Sequence, residues 1–143
     1  MRYLVSLSII LLFSCTAMKK QSRSGSSGDH PLKGTAWTLS RIPDFEPEAT
    51  RKPVSIAFDA GTRVSGNTGC NGYGADYTVK GNTIKLEKIL STKMACMPGM
   101  KTESKIMTVL TSADHYTVSG DKLTLMQGEK VLAEFSRDKK EQK

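Results

Sequence analysis

The sequence predicts an α+β fold that is mainly β, a small curved antiparallel sheet or barrel with one helix. Three observations carry this: short runs that alternate apolar and polar residues, turn-forming residues spaced regularly between them, and one segment with helical rather than strand period. "TAWTLSRI" (Thr35 to Ile42) and "VSIAFD" (Val54 to Asp59) alternate as half-buried strands do. "DYTVKGNTIKLEKI" holds two such runs around Lys80-Gly81-Asn82, a hairpin signal, and "YTVSGDKLTLMQGEKVLAEFS" holds three, separated by turns at Ser119-Gly120-Asp121 and Gln127-Gly128-Glu129. Between these groups, Ile106, Val109, Leu110 and Ala113 fall at helical spacing in "MKTESKIMTVLTSA". Pro98 just before suits a helix start, and Glu103 lies near the positive end of the helix dipole.

Residues 1–14 read as a signal peptide: Arg2 supplies a basic end, and the apolar run from Tyr3 to Phe13 is far shorter than the ~20 residues a spanning helix needs. Leu12-Phe13-Ser14-Cys15 resembles the lipobox of bacterial lipoproteins, with a bulkier residue than usual at Phe13. The resemblance implies cleavage before Cys15, diacylglycerol on its sulfur and acylation of the new N-terminus, hence a palmitate-type membrane anchor. The competing reading is an ordinary signal peptide with Cys15 there by coincidence. Residues 15–32 lack a hydrophobic period and are rich in Ser, Gly and Lys, as a tether is. Residues 33–137 are long enough for one domain, and residues 138–143 form a charged tail. Thr16 and Ala17 follow Cys15 without the Asp that commonly retains lipoproteins in the inner membrane, so the expected location is the cell envelope, anchored in the outer membrane and facing the periplasm.

The chain carries 21 basic and 14 acidic residues, a net charge of +7, but the charges are spread out rather than clustered with aromatics. Nucleic acid is therefore not an expected partner. Of the 3 cysteines, assigning Cys15 to lipid leaves Cys70 and Cys96, which an oxidising compartment would join in a disulfide; two free buried thiols are the alternative. Closing a loop of that length would stabilise the fold by roughly 3 to 4 kcal/mol in the chain-entropy account.

The densest motif is "RVSGNTGCNGYGADY", Arg63 to Tyr77. Its glycines follow no Walker spacing and lack the Lys-Ser/Thr pair and following helix of a phosphate loop. It reads instead as turn chemistry, with Asn67 and Asn71 satisfying turn amides and Tyr73 and Tyr77 packing on neighbouring strands. A second motif, "MACMPGM", places the thioethers of Met94, Met97 and Met100 around Cys96. These are soft donors of the kind Cu(I) prefers, but Met is also an adaptable core filler, so no metal or other cofactor is assigned. His30 falls in the tether and His115 in a strand-like run, and Glu46 and Glu48 in the loop "PDFEPEATRKP" read as solvent-exposed. No grouping for nucleophilic or acid–base catalysis is evident, and the chain is read as a non-enzyme.

Trp37 in "GTAWTL", then Gly66-Asn67-x-Gly69-Cys70-Asn71 followed by Tyr77, then Thr92-x-Met94-Ala95-Cys96, and a terminal "DKLTLMQGEKVLAEF" occur in the order of the META domain, also called the HslJ-like domain. The resemblance spans Gly34 to Phe135. It implies a compact, mainly β domain with a helix, found in envelope lipoproteins and secreted proteins. It brings links to heat shock and novobiocin tolerance in a bacterial relative and to virulence in trypanosomatid relatives, and no catalytic residues. The expected role is a non-enzymatic binding or structural module in envelope integrity or stress tolerance, with an unidentified envelope protein or small ligand as partner. The other reading is a periplasmic inhibitor or a protein binding a small ligand or metal.

Overall fold

The computed structural model describes residues 31–138; Cys15, the signal peptide, His30, most of the tether and the last five residues lie outside the described residues. Eight antiparallel strands run in sequence order: β1 (Thr35–Arg41), β2 (Ser55–Phe58), β3 (Arg63–Asn67), β4 (Gly72–Lys80), β5 (Thr83–Ser91), β6 (His115–Ser119), β7 (Lys122–Gln127) and β8 (Lys130–Arg137), with helix α1 (Met100–Ser112) between β5 and β6. Each strand pairs with the next, and β8 returns to β1, so the sheet closes into a barrel. Closure leaves no long free sheet edge to template aggregation.

The alternation that marks each strand also fills the barrel. Trp37, Ile56, Phe58, Val64, Tyr73, Ala75, Tyr77, Ile84, Leu123, Leu125, Ala133 and Phe135 are all buried in one core, and α1 adds Ile106, Val109 and Leu110 to it. A large apolar side chain moved from water into such a core contributes ~1.5–3 kcal/mol. Trp37 donates its Nε1–H to Thr35 Oγ1 at 2.7 Å, and the Arg137 guanidinium lies 4.3 Å from the centre of its ring. Tyr77 meets Phe58 edge-on at 5.0 Å, and its hydroxyl donates to Gly61 O at 3.2 Å in the turn between β2 and β3.

The closure is narrowest between β5 and β6, where the register holds a single Cα pair, Thr83↔His115. Ile84 N donates to Asp114 O and Tyr116 N to Asn82 O there, each at 2.9 Å. Beyond this point the two strands diverge, and α1 packs against β5 and β7.

The stretch from Arg63 to Tyr77 differs from its reading as turns. Most of it is two paired strands, Arg63↔Asp76 through Asn67↔Gly72, and only Thr68 to Asn71 forms the connection. β3 is invisible to the alternation rule because Ser65, Gly66 and Asn67 follow its only large apolar residue, Val64.

A bulge then sets the outer face of β5. Gly74 pairs with Leu90 but Asp76 pairs with Glu87, so β5 carries one extra residue, and Lys88 takes a left-handed conformation at φ 53°. The extra residue reverses the alternation: Ile84 and Leu86 face the core, Ile89 follows them inward, and Leu90 is turned outside with 76% of its surface exposed.

Candidate functional site

At one end of the barrel the Thr68–Asn71 connection, the segment from Thr92 to Gly99, the start of α1 and the loop before β2 come together. The family-signature residues Gly66, Asn67, Gly69, Cys70, Asn71, Thr92 and Met94 all belong to this end; Trp37 and Tyr77 do not, and serve the core instead. Cys70 and Cys96 form a disulfide with Cα atoms 5.8 Å apart, tying the connection to the segment ahead of the helix.

Asn67 behaves as a turn asparagine, its Oδ1 accepting from Gly69 N at 2.8 Å. Asn71 does not. It is 1% exposed and reaches away from its own turn: Oδ1 accepts from Thr92 Oγ1 at 2.7 Å and Met94 N at 2.8 Å. Its Nδ2 donates to Met94 O at 3.0 Å and to both carboxylate oxygens of Glu103 at 2.8 and 2.9 Å. The turn itself is held by Thr68, whose backbone N–H donates to Asn71 O at 2.8 Å and whose Oγ1 accepts from Asn71 N at 3.1 Å. Thr68 carried no sequence signal beyond its place between two glycines; the polarity of a fully buried residue becomes visible only in the fold.

Glu48 is likewise corrected from the exposed loop position expected of it. Its Oε2 accepts from Gly99 N at 3.0 Å and Lys101 N at 3.1 Å, and its backbone N–H donates to the buried Thr102 Oγ1 at 2.8 Å. The first turn of α1 has a glycine at its cap position and no local side chain to cap it. A carboxylate from a distant loop supplies what the helix lacks, satisfying orphan N–H groups and opposing the dipole. Glu46 is exposed, in line with its reading.

Two of the glycines are sterically required. A Cβ on Gly66 would lie 2.0 Å from Ser55 O and 2.7 Å from the Tyr73 hydroxyl, which itself donates to Ser55 O at 3.1 Å. Gly69 has φ 100°, and a Cβ there would meet Thr50 Cγ2 at 2.5 Å. Gly72 and Gly74 are different, since a Cβ on either meets nothing closer than 3.8 Å. With Tyr73, Leu90, Ser91 and Thr92 they line a shallow open depression of about 370 Å³.

Beside it the chain exposes large apolar side chains. Met94, Met97 and Met100 are 53%, 81% and 40% exposed, so the core-filler reading fails for all three; Met107, one turn and more into α1, is the methionine that packs on the core. Their backbone is fixed nonetheless, through Asn71 at Met94, the disulfide at Cys96 and Glu48 at Gly99 and Lys101.

A larger depression of about 510 Å³ lies at the far end of α1, where β5 and β6 diverge, and includes Thr83, Ser112, Asp114 and His115. His115 Nδ1 and Asp114 Oδ1 are 2.7 Å apart, and Gly128 N donates to the same carboxylate oxygen at 2.7 Å. These two hydrogen bonds hold the Asp114 carboxyl below its usual range. Among the described residues no hydroxyl is hydrogen-bonded to His115.

The META domain profile matches residues 30–140. An NMR structure of a protein from Burkholderia xenovorans is 26% identical and superposes with a TM-score of 0.63 over 76% of this chain and 85% of that one. A second protein solved by NMR, 17% identical, gives 0.60 over 73% and 90%. The crystal structure of a DUF4847 family protein from Bacteroides vulgatus, 16% identical, gives 0.55 over 78% and 97%. No curated protein matches the chain. With the profile spanning the whole barrel, Cys70, Cys96 and the helix α1, this chain belongs to the META domain family.

Proposed function

We propose that the protein is a bacterial envelope lipoprotein, anchored through acylated Cys15 in the outer membrane and facing the periplasm, whose META domain is a non-enzymatic binding module serving envelope integrity or stress tolerance. In this reading residues 1–14 are removed, residues 15–32 tether the domain, and Cys70–Cys96 fastens its binding end. The observation that carries it is the exposure of Leu90, Met94, Met97 and Met100 on a backbone held by a disulfide and by Asn71 and Glu48. A soluble domain gains nothing in stability from leaving four large apolar side chains in water, whereas a docking surface needs them rigidly presented. The partner this favours is an envelope protein with an apolar contact patch.

The test uses the full chain in cells, with a photo-crosslinking residue in place of the exposed Lys93. Capture of a defined partner, lost in L90K/M97K, supports binding; no crosslink above background overturns it. Palmitate labelling that survives C15A would overturn the lipid anchor. Deletion strains unaffected by heat, detergent and novobiocin would overturn the stress role.

A further inference from the structure

We infer that Met94, Met97 and Met100 form a site for a soft monovalent cation, Cu(I) or its analogue Ag(I). The inference rests on the reading of this face as a binding surface and adds a second, separable ligand to it. The three thioethers sit three residues apart along one short segment, and all are exposed. Met100 folds back over that segment, its Sδ lying 3.4 Å from Cys96 N. Consecutive Cα atoms are about 3.8 Å apart, so the Met100 sulfur stands next to the backbone from which Met97 springs and two residues from that of Met94. The site requires rotation about the side-chain bonds of the two more exposed methionines, which solvent exposure leaves room for, to bring three sulfurs onto one ion.

The backbone beneath them is already ordered. Met94 has both its N–H and its carbonyl bonded to Asn71, Cys96 is held by Cys70, and Gly99 and Lys101 are held by Glu48. The cost of ordering a binding loop is therefore met by the fold rather than by the ligand. The donor set also selects. With both sulfurs of Cys70 and Cys96 committed to each other, the soft donors left are thioethers, and among the described residues no group of three or more His, Cys, Asp or Glu side chains is placed to hold a divalent metal. Thioethers favour Cu(I) over zinc, magnesium or calcium. The carboxylates of Glu48 and Glu103 at the same end offset the positive helix terminus that a cation would otherwise meet.

The test titrates the full chain, purified in detergent with its disulfide intact, with Cu(I) kept reduced by ascorbate and buffered by a colorimetric chelator under anaerobic conditions. The expected result is one Cu(I) per chain, weakened about tenfold in M97L and at least a hundredfold in M94L/M97L/M100L, with the circular dichroism spectrum unchanged. Equal affinity in the triple variant overturns the site, as does binding that appears only after the disulfide is reduced, which would make the cysteines the ligands. Leucine keeps the apolar surface, so capture of a protein partner should survive in the triple variant. A loss of Cu(I) binding with capture retained separates the metal site from the docking surface, and capture without any Cu(I) binding in the wild-type chain overturns the metal site alone.

Discussion

Asn71 and Glu103 face each other across the disulfide-linked end of the barrel, the Asn71 amide donating to both Glu103 carboxylate oxygens at 2.8 and 2.9 Å. The same amide takes up the N–H and carbonyl of Met94, so one buried side chain joins the connection between β3 and β4, the pre-helix segment and α1. Asn71→Ala strands these groups without partners, and the expected loss is about 2–4 kcal/mol by urea denaturation. Asn71→Asp keeps the shape but sets a second carboxylate against Glu103. Its deficit should be largest at neutral pH and shrink as the pH falls and one proton is taken up between the two groups. A deficit that does not change between pH 4 and 7 would mean that Glu103 does not face position 71.

The cap on α1 gives a second prediction. Glu48→Ala removes the acceptor for Gly99 N and Lys101 N, and should cost about 1 kcal/mol. Glu48→Gln keeps an acceptor and loses only the charge, so it should retain part of that. The Lys101–Glu48 ion pair, 3.8 Å apart with a well-exposed lysine, adds little. Urea unfolding of the two variants at equal ionic strength checks the order; equal losses would assign the effect to charge alone.

Both of these contacts show where reading the sequence ran out. The barrel was legible because Trp37, Ile56, Phe58, Tyr77 and Leu125 sit in short alternating runs, and α1 because Ile106, Val109 and Leu110 keep a helical period. The site was legible as a set of residue types, since glycine, asparagine and cysteine concentrate there. What each does was not legible. Asn71 is chemically the same as Asn67 four residues earlier, and only the arrival of Thr92, Met94 and Glu103 from distant sequence separates a buried hub from a turn residue. Glu48 follows the same logic: a carboxylate between prolines signals an exposed loop, and nothing local reveals that a capless helix end lies above it. An unbroken alternation from Ile84 and Leu86 would bring Leu90 inward, and one bulge at Lys88 places it outside.

The glycines separate into two kinds by the same reasoning, which makes a third prediction. Gly66→Ala drives a Cβ to 2.0 Å from a backbone oxygen, so strands β2 and β3 must part, and the domain should be destabilised by several kcal/mol or fail to fold. Gly74→Ala meets nothing within 3.8 Å and removes a flexible residue from a strand, so it should be neutral or stabilising by up to about 1 kcal/mol. Thermal unfolding of the pair distinguishes steric demand from mere presence in the motif. If Gly74→Ala instead weakens partner capture without loss of stability, the open depression beside Leu90 belongs to the docking surface.

The disulfide supports a fourth. Cys70 and Cys96 are 26 residues apart, and joining them restricts the unfolded chain enough to stabilise the fold by about 3–4 kcal/mol. C70S/C96S should lower the urea midpoint accordingly, with the greatest rise in hydrogen exchange at Thr92 to Gly99. Uniform exchange across the barrel would show that the bond acts on the unfolded chain without fastening this segment.

The last prediction concerns alkaline pH. Burial pushes the Tyr73 hydroxyl well above its usual range, and burial also raises Tyr77 and Tyr116. A phenol that holds its proton more tightly when folded than when unfolded leaves stability unchanged below the ordinary tyrosine pKa of ~10 and withdraws it as the pH climbs past that value, because the unfolded chain then sheds protons the fold retains. Stability should therefore fall steeply above about pH 10. Tyr73→Phe removes one of these protons, and although it leaves Ser55 O without the hydroxyl and lowers stability at neutral pH, its alkaline limb should be shallower than that of the wild-type chain. Denaturant midpoints at pH 8 and at pH 11 give the comparison. Parallel limbs would mean that Tyr73 is free to ionise in the folded protein, and so is not sealed between Gly66 and Ser55.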